Sequence, residues 1–103
     1  MAIAYIQEFA IRDGDTSTAN YDAVVAALDL QGAPDGLIVH TAGFDLDAGV
    51  FRILRIWESR AQGERFMDER LNPVIQPMMA AGGDDFAPPT REAWYELHDA
   101  IRG

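Results

Sequence analysis

Apolar side chains alternate near the start of the chain, with Ile3, Tyr5, Gln7, Phe9 and Ile11 on one face of an extended segment and Ala4, Ile6, Glu8 and Ala10 on the other. A period of two with apolar groups on both faces predicts a central strand over Ile3 to Ile11, covered on both sides. Asp13-Gly14-Asp15 then reads as a turn. Thr16 to Thr18 offer N-cap hydroxyls to a helix that carries Tyr21, Val24, Val25 and Leu28 at i, i+3, i+4, i+7 and ends near Leu30, before Gly32, Pro34 and Gly36.

Two further strands follow, from Leu37 to Phe44 and from Val50 to Glu58, rich in β-branched and aromatic residues. The short acidic turn from Asp45 to Gly49 makes them an antiparallel hairpin. Ser59 with Gln62 three residues later has the form of a capping box, and Phe66, Met67, Arg70 and Leu71 continue a second helix until Asn72-Pro73 breaks it. Pro73 suits the first turn of a new short helix with Val74, Ile75, Met78 and Met79, which Pro77 kinks or shortens. A loop from Gly82 to Pro89 precedes a last strand over Glu92 to His98 and a short tail.

The order βαββαβ is that of a ferredoxin-like α+β fold, one domain spanning residues 1–103, with a four-stranded antiparallel sheet and both helices on one face. Such a sheet leaves its other face bare. The third strand is nevertheless apolar on both faces, with Phe51, Ile53 and Trp57 on one and Val50, Leu54 and Ile56 on the other. A second copy of the chain covers that face without any other gene product, because a two-fold interface uses one patch twice. The expectation is a homodimer.

Composition narrows the partners. Hydrophobic residues make up 49% and charged residues 24%, an ordinary balance for a chain that folds. Seventeen acidic residues against eight basic ones give a net charge of -9, which repels phosphate backbones and anionic lipid. Nucleic acid and membrane are therefore not expected as partners. With no basic leader and no apolar run of roughly 20 residues, secretion and membrane insertion are not expected either. The Ala, Arg and Asp bias suits an intracellular, cytoplasmic bacterial protein. No cysteine is present and every basic residue is arginine, so thiolate chemistry and lysine Schiff bases are excluded by inventory.

At the end of the third strand, Arg55-Ile56-Trp57-Glu58-Ser59 followed by an amphipathic helix resembles the signature of the antibiotic-biosynthesis-monooxygenase-like family. The turn at Asp13-Gly14, the Pro34-Asp35-Gly36 entry to the second strand and the Glu69-Arg70-Leu71-Asn72-Pro73 break fall where this family has similar features, so the resemblance covers nearly the whole chain. It implies a dimeric α/β barrel. The superfamily holds cofactor-free monooxygenases of polyketide tailoring, haem degraders, muconolactone isomerases, polyketide cyclases and proteins without known activity, and fold does not select among them. The resemblance implies that Trp57 points into a pocket between the sheet and its helices, leaving Val50, Leu54 and Ile56 for the dimer face. Oxygen-activating members carry an amide on the first strand, and Gln7 stands there in place of the usual asparagine.

His40 directly follows the apolar run Leu37-Ile38-Val39, so it is either a general base for an acidic phenol or carbon acid, or a histidine at a strand end or dimer contact. Trp57 is either a pocket wall that stacks on an aromatic ligand or core filler. Arg55 shares its face and offers a cation to a ligand phenolate or carboxylate, unless one of the many acids pairs with it. Tyr5 shares a face with Gln7, and Tyr95 lies on the strand beside the first; either hydroxyl can orient a substrate carbonyl, or simply stay wet above a buried ring. Tyr21 reads as packing and Asp84-Asp85 as a solvated loop.

Two histidines, His40 and His98, far apart and without cysteine, support no metal site. Haem degraders carry an axial histidine on the second helix, and Arg60 to Ala81 contains none. Neither a phosphate-cradling glycine loop nor a G-x-S-x-G elbow occurs. The expected activity is a cofactor-independent, monooxygenase-like tailoring reaction on an aromatic or polyketide-type small molecule in an apolar pocket. His40, Gln7 and Trp57 would serve catalysis, and Tyr5, Arg55 and Tyr95 would bind substrate. The alternatives are a cofactor-free cyclase or isomerase using the same base, and a non-catalytic small-molecule-binding protein.

Overall fold

The computed structural model describes residues 2–12, 14, 16–82 and 88–99. Asp13, Asp15, Asp84 and Asp85 lie outside them, and with them parts of the turn and loop expected there. Four strands, β1 (Ile3–Ala10), β2 (Leu37–Asp45), β3 (Val50–Trp57) and β4 (Arg91–Glu96), form one sheet in the order β2-β3-β1-β4. Every neighbouring pair is antiparallel. With helix α1 (Ala19–Leu28) between β1 and β2, and a helical segment between β3 and β4, this is the ferredoxin-like βαββαβ arrangement.

Local chemistry sets the ends of the elements. α1 begins after Thr18, whose hydroxyl donates to the Asp22 carboxylate (2.9 Å) instead of capping the backbone, while Ser17 Oγ accepts from the Ala19 N–H (3.2 Å). It stops two residues short of the expected Leu30, because Asp29 turns into the left-handed region at φ 47°. Gly36, at φ 85°, makes the entry to β2. A Cβ there would meet only the movable end of the Gln62 side chain, so it is the backbone conformation that requires glycine. β4 ends at Glu96, before the expected His98.

The second helix starts as its sequence predicts: Ser59 Oγ accepts the Gln62 N–H at 3.2 Å and donates to Gln62 Oε1 at 2.9 Å. The expected break at Asn72-Pro73 is replaced by a turn of π-helix. α2 (Arg60–Phe66) passes through Met67–Leu71, where Asn72 N–H reaches back five residues to Met67 O, and continues directly as α3 (Asn72–Gly82). Widening the ladder just before Pro73 accommodates its missing donor and its ring without ending the helix. Pro77 sits inside α3.

The core gathers at one end of the helix-covered face. Trp57, Phe66 and Leu71 are buried together, with Ile3, Val24, Leu28, Leu37, Met67, Ile75 and Trp94 packed round them. The Trp57 indole, wholly buried, lies 5.5 Å from the Phe66 ring. Its Nε1–H has no hydrogen-bond partner among the described residues. Removing roughly 200 Å² from water contributes on the order of 5 kcal/mol, which outweighs the roughly 1–3 kcal/mol cost of one unpaired donor.

Candidate functional site

Strand pairing decides which side chains meet. On the helix-covered face, His40 of β2, Arg55 of β3, Tyr5 of β1 and Trp94 of β4 stand opposite one another in a single row across the sheet. The next row is Ala42, Ile53, Gln7 and Glu92, and the one beyond it Phe44, Phe51 and Phe9. A bulge at Ile38 lets Leu37 join Trp57 on this face, although simple alternation from His40 would turn it away.

Above these rows α1 packs beside α3 and leaves a cavity of about 780 Å³ between helices and sheet, within the range of small-molecule sites. Tyr21, Val24 and Leu28 of α1 and Leu71, Ile75 and Met79 of the second helical segment face the strand residues across it. Tyr5, Gln7, His40, Arg55 and Trp57, five of the six residues expected at a site, all line this space. Tyr95 does not. It pairs with Ala4 one step out of phase with Tyr5, and so lies on the opposite face, 46% exposed. Its strand does neighbour β1 as expected, but its side chain does not reach the cavity where a substrate-binding role was expected; Trp94 and Glu92 are the β4 residues on the cavity side.

The polar groups are joined in pairs. Tyr5 donates its hydroxyl to Glu92 Oε2 at 2.9 Å, and burial, reinforced by that carboxylate, holds the phenol neutral by raising its pKa. Arg55 donates from one terminal nitrogen to Gln7 Oε1 at 3.2 Å. Its side chain is buried, which lowers its pKa, yet it remains a cation because a guanidinium starts so high. Tyr21 Oη and His40 Nε2 lie 3.3 Å apart, the direction of the bond following the imidazole tautomer. His40 stands at the exposed rim, where partial desolvation, and secondarily the Arg55 charge, push its pKa below 6.5. It is therefore neutral at pH 7 and able to accept a proton.

Trp57, with no exposed surface, fills the core beneath the buried end of the cavity rather than forming an open wall, and is itself clamped. A Cβ on Gly63 of α2 would come within 2.9 Å of both the Trp57 and the Trp94 rings, so only glycine lets the helix seat on the two indoles. Glu92 and Tyr21 escaped the sequence reading as site residues. Glu92 lies near the start of a strand whose phase is fixed only by pairing, and Tyr21 has the i, i+3, i+4 spacing of ordinary packing. Among the described residues no group of three or more His, Asp or Glu side chains is placed to hold a metal ion, and no helix is long and apolar enough to cross a membrane.

The fold can be set beside solved structures. The chain has the architecture of the antibiotic-biosynthesis-monooxygenase-like proteins, as comparison with solved structures shows. It is similar to a candidate antibiotic biosynthesis monooxygenase from Chloroflexus aurantiacus, at 14% identity and a TM-score of 0.65 over 99% of this chain and 98% of that one. A mutant of SnoaB, a cofactor-independent oxygenase from Streptomyces nogalater, matches at 12% identity and a TM-score of 0.64 over 99% and 98%. A protein of unknown function from Nitrosomonas europaea matches at 19% and 0.65 over 99% and 94%. At these identities the likeness is one of fold. No protein-family model and no curated protein matches the chain.

Proposed function

We propose that this protein is a cofactor-independent, monooxygenase-like enzyme acting on an aromatic or polyketide-type small molecule held between the sheet and α1. The observation that carries the reading is the row His40, Arg55, Tyr5 on the wall of an apolar cavity: a neutral imidazole, a buried cation and a neutral phenol side by side. The fold shared with a cofactor-independent oxygenase supports it.

Chemistry of this kind draws its electrons from the substrate. His40 takes a proton from a methylene made acidic by flanking carbonyl or aromatic groups. The carbanion passes one electron to dioxygen, and the resulting radical and superoxide combine, with one proton, as a hydroperoxide. Loss of water leaves a carbonyl, so that RH₂ and O₂ give R=O and H₂O. Arg55, with Gln7 beside it, stabilises the developing oxyanion, and Trp57 with the phenylalanine row keeps the site apolar.

Oxygen uptake with a panel of phenols and aromatic carbon acids tests the reading. The expected result is one O₂ consumed per ketone formed, and loss of turnover in His40→Ala. Substrate rearranged without oxygen consumption would instead mark a cyclase or isomerase working through the same base, and substrate recovered unchanged a binding protein.

We also propose that the opposite face pairs with a second copy of the chain. Val39, Ile56, Ala4 and Tyr95 form one row there, Thr41, Leu54, Ile6 and Ala93 the next, and Val39 and Tyr95 are exposed. Beyond them Glu8 is held by Arg52 (2.6 Å) and Arg91 (3.5 Å), with Asp45 on Arg52 (3.0 Å), a charged border to an apolar patch.

A further inference from the structure

Acidic residues outnumber basic ones by seventeen to eight, so an arginine in this chain finds a carboxylate easily. Arg52, Arg60 and Arg91 each have one within 4 Å. Arg55, 8% exposed, has none at that distance among the described residues. Its one hydrogen bond there is to the neutral Gln7 amide. Glu92, the carboxylate on the cavity wall, is engaged by the Tyr5 hydroxyl. Burying a cation without a counter-charge is costly.

We infer that Arg55 is the anchor of an anion subsite, and that the cavity takes an elongated aromatic body bearing a planar oxyanion, a carboxylate or a phenolate. The guanidinium supplies a donor fork that matches such a group, between the Tyr5 and His40 positions of the same row. The rest of the ligand extends along β3 toward Phe51 and Phe44, four residues and about 13 Å away at the usual rise of a strand. That length calls for several rings. Tyr21, 5.5 Å from Phe51 in an edge-on arrangement, covers the same stretch from α1.

The inference rests on the reading of the cavity as a small-molecule site, and the test separates the two. Anthracene-2-carboxylate and its neutral isostere anthracene-2-carboxamide are titrated against the wild type and Arg55→Met, following the fluorescence anisotropy of the ligand. The expected result is carboxylate binding at least about tenfold tighter than amide in the wild type, the gap closing in Arg55→Met while the amide affinity stays within about twofold. Retained amide binding in the variant shows that its cavity is intact. Equal binding of both ligands by the wild type, or a preference that survives Arg55→Met, overturns the anion subsite and leaves the cavity reading standing. Binding of neither ligand overturns both.

Discussion

The Tyr21 hydroxyl of α1 lies 3.3 Å from His40 Nε2 of β2, joining a helix to an edge strand across the mouth of the cavity. The contact gives the imidazole a fixed partner, and the Arg55 cation opposes its protonation after desolvation has already done so. His40 therefore titrates below 6.5 in the folded protein, measurable from its Cε1–H shift in an NMR pH titration. A folded pKa below the unfolded one means that the unfolded chain binds more protons between the two values. Stability should rise with pH across that window and fall as pH drops through it, and His40→Gln should flatten this dependence. In Arg55→Met the His40 pKa should move up toward 6.5; an unchanged value would mean that the cation does not act on the imidazole.

Arg55→Met should make the protein more stable. Methionine keeps most of the length of the arginine stem while removing a charge whose burial is opposed by desolvation. A gain of about 1 kcal/mol corresponds to a rise in Tm of about 4–8 °C at this chain length, read by calorimetry. A lower Tm would show that the guanidinium is a structural group.

Gly63→Ala should destabilise. The added methyl meets two ring systems at 2.9 Å, and both belong to large side chains that cannot swing aside within a packed core. Overpacking of this kind costs about 1–3 kcal/mol, and the displaced indoles should alter the near-UV circular dichroism. An unchanged Tm and spectrum would mean that α2 lifts off the sheet without cost.

The wild type should be a dimer and Leu54→Arg a folded monomer. Leu54 is on the face away from the helices, in the row with Thr41, Ile6 and Ala93, so a charge there leaves the cavity untouched. Light scattering after size exclusion decides it, with far-UV circular dichroism as the check on folding. A wild type that is itself monomeric, or a variant that stays dimeric, removes this face as the pairing surface.

The regular elements were legible in the chain because their signals are local. Alternation over Ile3 to Ile11, the Ser59 and Gln62 cap and the glycine at position 36 each act within a few residues, and each has its counterpart in the structure. The break expected at Asn72-Pro73 follows the local rule for proline, whereas core packing before, within and after the π-turn, through Phe66, Leu71 and Ile75, holds the helix together.

The sequence by itself determined the order βαββαβ, the apolar character of both faces of β3, and the residue types available for chemistry. Only the tertiary structure decided their company. Strand register put Tyr95 on the far face and Glu92 on the near one, and the bulge at Ile38 brought Leu37 and His40 to the same side. The packing of α1 beside α3 placed the Tyr21 hydroxyl over His40. The reason is physical: secondary structure answers to neighbours along the chain, whereas a strand's facing and a buried charge's partners depend on residues as far apart as Tyr5 and Glu92, which meet only when the sheet closes.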